Sequence, residues 1–183
     1  MAGSNKRIAK ELADITTNPP EGTKVKLADE SNIFIWEVLL DGPEESSVDG
    51  HVVASKSQKP EKHPKALLRT ILTAQQQGGR FKLKLVLPTN YPFKPPVLSF
   101  ETKIFHPNVT NDDKGSMCLG ILRSDEWKPP NQIRAVLKMV RDILVTPDID
   151  NAVEGAIAEL YKSNRKWYDK QAKEWVAKYA GKK

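Results

Sequence analysis

In a chain of 183 residues there is one thiol, Cys118, ten positions after Asn108, the last residue of the run His106-Pro107-Asn108. A single cysteine cannot close an intrachain disulfide or supply a two-thiol metal site. It can still be a nucleophile. A cysteine hydrolase needs a histidine base beside the thiol and a third group to orient that base. Three histidines exist, and His51 and His63 stand in an atypical segment. His106 precedes a proline in a tight turn, where a hydrogen-bonded structural role is expected. A thiol without a base retains chemistry: its ordinary pKa of about 8.5 leaves a few per cent as thiolate at neutral pH. That is enough to attack an activated acyl donor or to exchange one thioester for another. The tetrahedral intermediate carries negative charge, and a neutral amide such as that of Asn108 is suited to donate to it. The same amide can equally hydrogen-bond its own turn.

The elements that must position these residues follow from periodicity. SNKRIAKELADITT carries Ile8, Leu12 and Ile15 on one helical face, with Ser4 as N-cap and Pro19-Pro20 and Gly22 as the stop. TKVKLAD, IFIWEVLL, RFKLKLVLP and PVLSFET are rich in β-branched and aromatic residues and read as four strands. Phe81, Leu83, Leu85 and Leu87 alternate with Lys82 and Lys84, which gives one buried and one wet face. The joints LADESNIF and PTNYPFKPP have turn chemistry, so an antiparallel meander is expected. After Trp127 the period becomes helical. Asn131 is the expected cap of a helix with Ile133, Val136, Leu137, Val140 and Leu144, ended by Pro147. Asn151 to Glu154 reads as a capping box for a short helix to Tyr161. Ser163 or Asn164 opens a last helix with Trp167, Tyr168, Ala172, Trp175 and Tyr179, closed by Gly181. The fold class is α+β: an N-terminal helix, a four-stranded antiparallel meander, an irregular stretch holding the cysteine, then three helices.

Residues 51–78 do not fit this plan. They separate the second and third strands by more than a compact domain normally tolerates. Removing them brings SSVDG against GRFKLKLVLP, a compact hairpin joint. A short helix can be read in PKALLRTILTAQQQ. Lys56, Lys59, Lys62, Lys65 and Arg69 against Glu61 give this stretch +4 of the net charge of +6. The remaining +2 calls for no nucleic acid, and no zinc-finger or RNA-binding spacing is present. The expected organisation is one domain over 1–183, interrupted by a mobile insertion at 51–78; a retained intron read through in frame would account for it. No apolar run approaches a membrane span, and no secretory signal opens the chain. One free cysteine then points to a reducing compartment, cytoplasm or nucleus.

YPFKPP (91–96), KIFHPN (103–108), GSMCLGIL (115–122) and EWKPP (126–130), in this order and on this layout, resemble the core of a ubiquitin-conjugating enzyme. The resemblance extends to KRIAKEL and EWVAKYAG and covers all but 51–78. It implies that Cys118 takes ubiquitin as a thioester from the activating enzyme and passes it to a ligase cysteine or a substrate lysine. It implies that Asn108 stabilises the oxyanion or orders the nearby loop, and that His106 and Pro107 belong to the structural motif. Phe93 and Pro129 correspond to ligase contacts, and Lys6, Arg7 and Lys10 to the face shared by activating enzyme and ligase. The partners implied are ubiquitin, its activating enzyme, ligases and protein substrates, with no metal or cofactor, no nucleic acid and no membrane; a monomer is expected.

The chain departs from the family pattern beside the cysteine. Members that discharge readily onto lysine commonly carry an aspartate two residues later, where this chain has Gly120. A second acidic or polar position falls in PDIDNAV, at Asn151 with Asp150 beside it. A cysteine acceptor is therefore expected over lysine. The stretch CLGILRSDEWKP is also similar to carriers of ubiquitin-like modifiers, and a non-catalytic module on the same fold is the remaining alternative.

Overall fold

The computed structural model describes residues 2–42 and 78–181. Among them, a helix α1 (Ala2–Thr17) is followed by β1 (Thr23–Leu27), β2 (Ile35–Asp41), β3 (Arg80–Val86) and β4 (Val97–Phe100). A short 3-10 turn (Gly120–Leu122) and helices α2 (Ile133–Val145), α3 (Gly155–Ser163) and α4 (Arg165–Tyr179) complete it. The sheet order is β1-β2-β3-β4, every pair antiparallel, so the expected meander is what forms. Alternation explains its two faces. Trp36, Val38, Leu40, Phe81, Leu83, Leu85, Leu98 and Phe100 are buried on one side. On the other, Glu37 bridges Lys26 and Lys82, each at 3.0 Å, so part of the sheet's basic charge is already matched.

The buried face is covered by Ile8 and Ile15 of α1 and by Ile133, Val136, Leu137, Val140 and Leu144 of α2. The β1–β2 joint is held by Asp29 accepting from the Ser31 N–H and hydroxyl, and by Asn32 accepting from the Phe34 N–H. These are the turn bonds its composition favours.

Three expectations at helix ends and one about a buried face need correction. Ser4 lies within α1, and its hydroxyl reaches the carbonyls of Thr89 and Tyr91 instead of capping. Helix α2 begins at Ile133 behind Gln132, not at an Asn131 cap. Its first N–H is capped from afar, by Glu11 Oε2 at 2.7 Å. Helix α3 begins at Gly155 behind Glu154, and Asn151 instead donates its Nδ2 to Asp148. In α4 the buried stripe is Tyr168, Ala172 and Val176, whereas Trp167 and Tyr179 are exposed. Tyr168 packs with Ile157 and Ala172 in a second small core, where Phe105 stacks at 5.6 Å. Asn164 is the α4 cap as expected, accepting from the Trp167 N–H.

The insertion lies outside the described residues apart from Gly78. At the flanking residues Asp41 pairs with Arg80 in the β2–β3 register, and the Gly42 N–H donates to the Gly79 carbonyl at 2.7 Å. The chain therefore leaves and returns at one hairpin mouth. That mouth is at the start of β3, the end opposite the Pro88–Pro96 loop.

Candidate active site

Cys118 is held by backbone laid along the open edge of β4. Ser116 bridges Ser99, and Met117 bridges Val109. The Phe100 N–H donates to the Gly115 carbonyl at 2.8 Å. Gly115 makes this approach possible: its φ is +55°, and a Cβ there would sit 2.1 Å from the Phe100 carbonyl oxygen. The Cys118 N–H then donates to the Asn108 carbonyl at 3.3 Å, which ties the thiol to the His106-Pro107-Asn108 turn. The cysteine is half-buried and free.

The turn is a clamp, and each of its residues grips a different part of the chain. His106 is fully buried; its Nδ1 accepts from the Asn108 N–H at 3.1 Å, so Nε2 carries the proton and donates to the Ile143 carbonyl of α2 at 3.1 Å. Burial pushes its pKa down to about 4, only partly countered by that bond, so the ring is neutral at physiological pH. The ring joins the turn to α2 through these two bonds. The Pro107 carbonyl accepts from the N–H groups of Val153 and Glu154 at 2.9 and 3.0 Å. Asn108, 0% exposed, donates Nδ2 to the carbonyls of Asp148 and Asn151 at 2.6 and 3.3 Å, and its Oδ1 accepts from the Asp148 N–H at 3.0 Å. The Asn108 side-chain amide thus ties its turn to the loop at Asp148 and Asn151 through two carbonyls.

The loop so held forms one wall of a cleft of about 420 Å³ lined by Cys118, Gly120, Ile121, Arg123, Glu126, Asp148 and Asn151. Gly120 and Asn151 line the thiol's cleft, whereas Asp150 is exposed and not part of its lining. The loop carboxylate that lines it is Asp148, which accepts from Asn151 Nδ2 at 2.9 Å, and Glu126 lines it as well. Asp148, Glu126 and Arg123 were not singled out by sequence reasoning. The signal available for Asp148 was its place directly after the helix-ending Pro147, but spacing alone does not say which residue of PDIDN the buried asparagine grips.

The other expected contact residues lie on a different surface. Phe93 is 76% exposed, and Pro129 is exposed. Their loops are joined by the Trp127 indole N–H donating to the Pro92 carbonyl at 2.7 Å and by packing of Trp127 on Tyr91. Lys6 and Lys10 are exposed. Arg7 is committed internally, with Nε on Glu11 Oε1 at 2.5 Å and Nη2 on the Asn131 carbonyl at 3.2 Å.

Residues 73–176 match the family model for ubiquitin-conjugating enzymes. The chain belongs to the ubiquitin-conjugating enzyme family. The Dictyostelium discoideum protein "Ubiquitin conjugating enzyme E2 B" is 33% identical over 177 residues, covering 97% of this chain and 98% of the relative. A crystal structure from Plasmodium yoelii, assigned to the ubiquitin conjugating enzymes, superposes with a TM-score of 0.75 at 28% identity, over 98% of this chain and 97% of the other. A ubiquitin-conjugating enzyme is a transferase that acts through a cysteine thioester, in a pathway shared with ubiquitin, activating enzymes and ligases.

Proposed function

We propose that Cys118 is the thiol that carries ubiquitin in this enzyme. The observation that supports the reading most directly is that the chain's only cysteine opens onto a cleft whose walls are fastened to the same buried turn that fastens the cysteine. In loading, the Cys118 thiolate attacks the carbonyl of the ubiquitin C-terminus held as a thioester on the activating enzyme. A new S–C bond forms, and the activating enzyme's sulfur leaves with the electron pair. In discharge the same carbonyl is attacked by a ligase thiolate or a substrate amine, and Cys118 leaves as thiolate. A thiolate is a far better leaving group than an amide nitrogen, which makes the carrier state suited to both steps. His106, Pro107 and Asn108 position the cleft. Phe93, Pro129, Lys6 and Lys10 form the docking face for activating enzyme and ligase. The free thiol fits a reducing compartment, cytoplasmic or nuclear, and the chain works as a monomer.

The test is thioester formation with a ubiquitin-activating enzyme, ubiquitin and ATP. The wild type should give a thiol-labile adduct, Cys118→Ser a thiol-resistant oxyester, and Cys118→Ala none. A thiol-labile adduct on Cys118→Ala would refute the assignment, since the chain holds no other cysteine. A parallel reaction with a ubiquitin-like modifier and its own activating enzyme decides the cargo.

A further inference from the structure

Glu11 lies three residues after Ile8 and four before Ile15, on the inward face of α1, and this carboxylate is buried, with the residue only 6% exposed. Its two oxygens gather three segments that are remote in sequence. Oε1 accepts from Arg7 Nε at 2.5 Å and from the Tyr91 hydroxyl at 2.7 Å. Oε2 accepts from the Ile133 N–H at 2.7 Å. Through Arg7, whose Nη2 donates to the Asn131 carbonyl, the same carboxylate holds the residues before α2 a second time. Gln132 offers α2 no side-chain cap, so Glu11 fills the cap position from another helix, and a negative group at a helix N-terminus is favoured by the helix dipole.

The three segments share one property. Tyr91 is two residues before the exposed Phe93, Asn131 is two residues after Pro129, and Glu11 itself is adjacent to Lys10. Tyr91 and Glu11 are buried and Asn131 is half-buried, and each anchors an exposed group on the proposed docking face. The Ser4 hydroxyl on the Thr89 carbonyl adds a further tie between α1 and the Phe93 loop. None of Arg7, Glu11, Tyr91, Asn131 or Ile133 lines the Cys118 cleft.

We propose that Glu11 is a positioning residue for partner docking, its buried carboxylate holding the Phe93 loop, the Pro129 loop and the basic face of α1 in one rigid arrangement. This rests on the reading of those exposed groups as the docking face. Loss of Glu11 lets the three move independently, so a partner that must contact all of them has to order them on binding. The chemistry at Cys118, held by a separate set of bonds, is unaffected.

The experiment uses the full chain and Glu11→Ala, Glu11→Gln and Tyr91→Phe, at a temperature where each is folded. Loading by a ubiquitin-activating enzyme is measured against the concentration of the carrier, discharge of the preformed thioester onto free cysteine is measured alone, and amide hydrogen exchange is followed in 88–96 and 126–133. Glu11→Ala should raise KM for loading about tenfold, leave kcat and cysteine discharge within about twofold, and speed exchange in both segments. Glu11→Gln keeps a carbonyl oxygen for the Ile133 N–H and should recover most of the KM. An unchanged KM, or loading and discharge slowed in equal proportion, overturns the proposal. If Glu11→Ala does not fold, Tyr91→Phe decides: removing one hydroxyl should raise KM and speed exchange in 88–96, and no change in either overturns it. A wild type that forms no thioester would defeat the Cys118 assignment instead, and the exchange measurements would still judge Glu11.

Discussion

Gly120 leaves one wall of the Cys118 cleft without a side chain. A lysine acceptor has an ordinary pKa of about 10.4 and needs orientation and help in losing its proton, whereas a thiol acceptor ionises readily. Single-turnover discharge should therefore be faster onto free cysteine than onto free lysine. A Cβ on Gly120 would meet nothing within 4 Å, so the backbone there has room for the first side-chain atom of Gly120→Asp. It should raise the lysine rate by about tenfold or more and leave the cysteine rate nearly unchanged. Wild-type discharge that is already as fast onto lysine would overturn the expectation. His106 gives a second residue-scale consequence. Its folded pKa of about 4 lies below the ordinary 6.5, so below 6.5 the unfolded chain binds the extra proton. The stabilisation is complete above about pH 6.5 and is lost as pH falls towards 4. Denaturant titrations between about pH 5 and 6.5, above most carboxylate titration, should show stability falling by ~1 kcal/mol per pH unit. In His106→Asn, less stable at neutral pH, that slope should be absent; a slope that persists would assign it to other groups.

At the scale of elements, the site is a loop gripped by an asparagine. The segment from Thr146 to Glu154 contains no regular structure, and its bonds to Asn108 and Pro107 are what give it a shape. Asn108→Ala leaves the Asp148 N–H and two carbonyls without partners, a cost of ~2–3 kcal/mol if the loop stayed in place. The loop should release instead. Loading and discharge should both slow, with a lower melting temperature and faster amide exchange in 146–154. Slowed discharge with normal loading and unchanged melting would assign Asn108 the oxyanion role. The thiol's own strand depends on Gly115 in the same way, since only glycine permits its positive φ against the Phe100 carbonyl without strain.

For the whole molecule, the position of the hairpin mouth decides what an insertion can disturb. Gly42 and Gly79 close the β2–β3 ladder by a backbone bond, at the end of β3 remote from Phe93. Loop-closure entropy grows by only about 0.6 kcal/mol per doubling of length. A deletion joining Gly50 to Gly79 should therefore melt no lower than the full chain and form the thioester at least as well. A fall in melting temperature or a loss of loading would make residues 51–78 a working part of the fold. Native tryptic peptides crossing from Gly50 to Gly79 would support a retained intron, and abundant peptides from within 57–69 would exclude it.

The sequence by itself determined the element order, the meander and the position of the one thiol. Strand alternation, proline and glycine stops and a solitary cysteine are local signals, and local physics is sufficient to place Phe81, Leu83 and Leu85 inward or to end α2 before Pro147. Four motifs in order were enough to indicate the family. What tertiary structure decided is every feature made by side chains meeting backbone from elsewhere. Glu11 caps a helix that starts 122 residues away, which no capping rule read along the chain can find. Asn108 selects Asp148, not Asp150, for the cleft, because the register of an irregular loop is set by the groups that bind it. Arg7 looks like a docking charge until Glu11 and the Asn131 carbonyl consume it. Polar groups find partners across the fold because burial makes an unpaired one costly, and distance along the chain does not enter that cost.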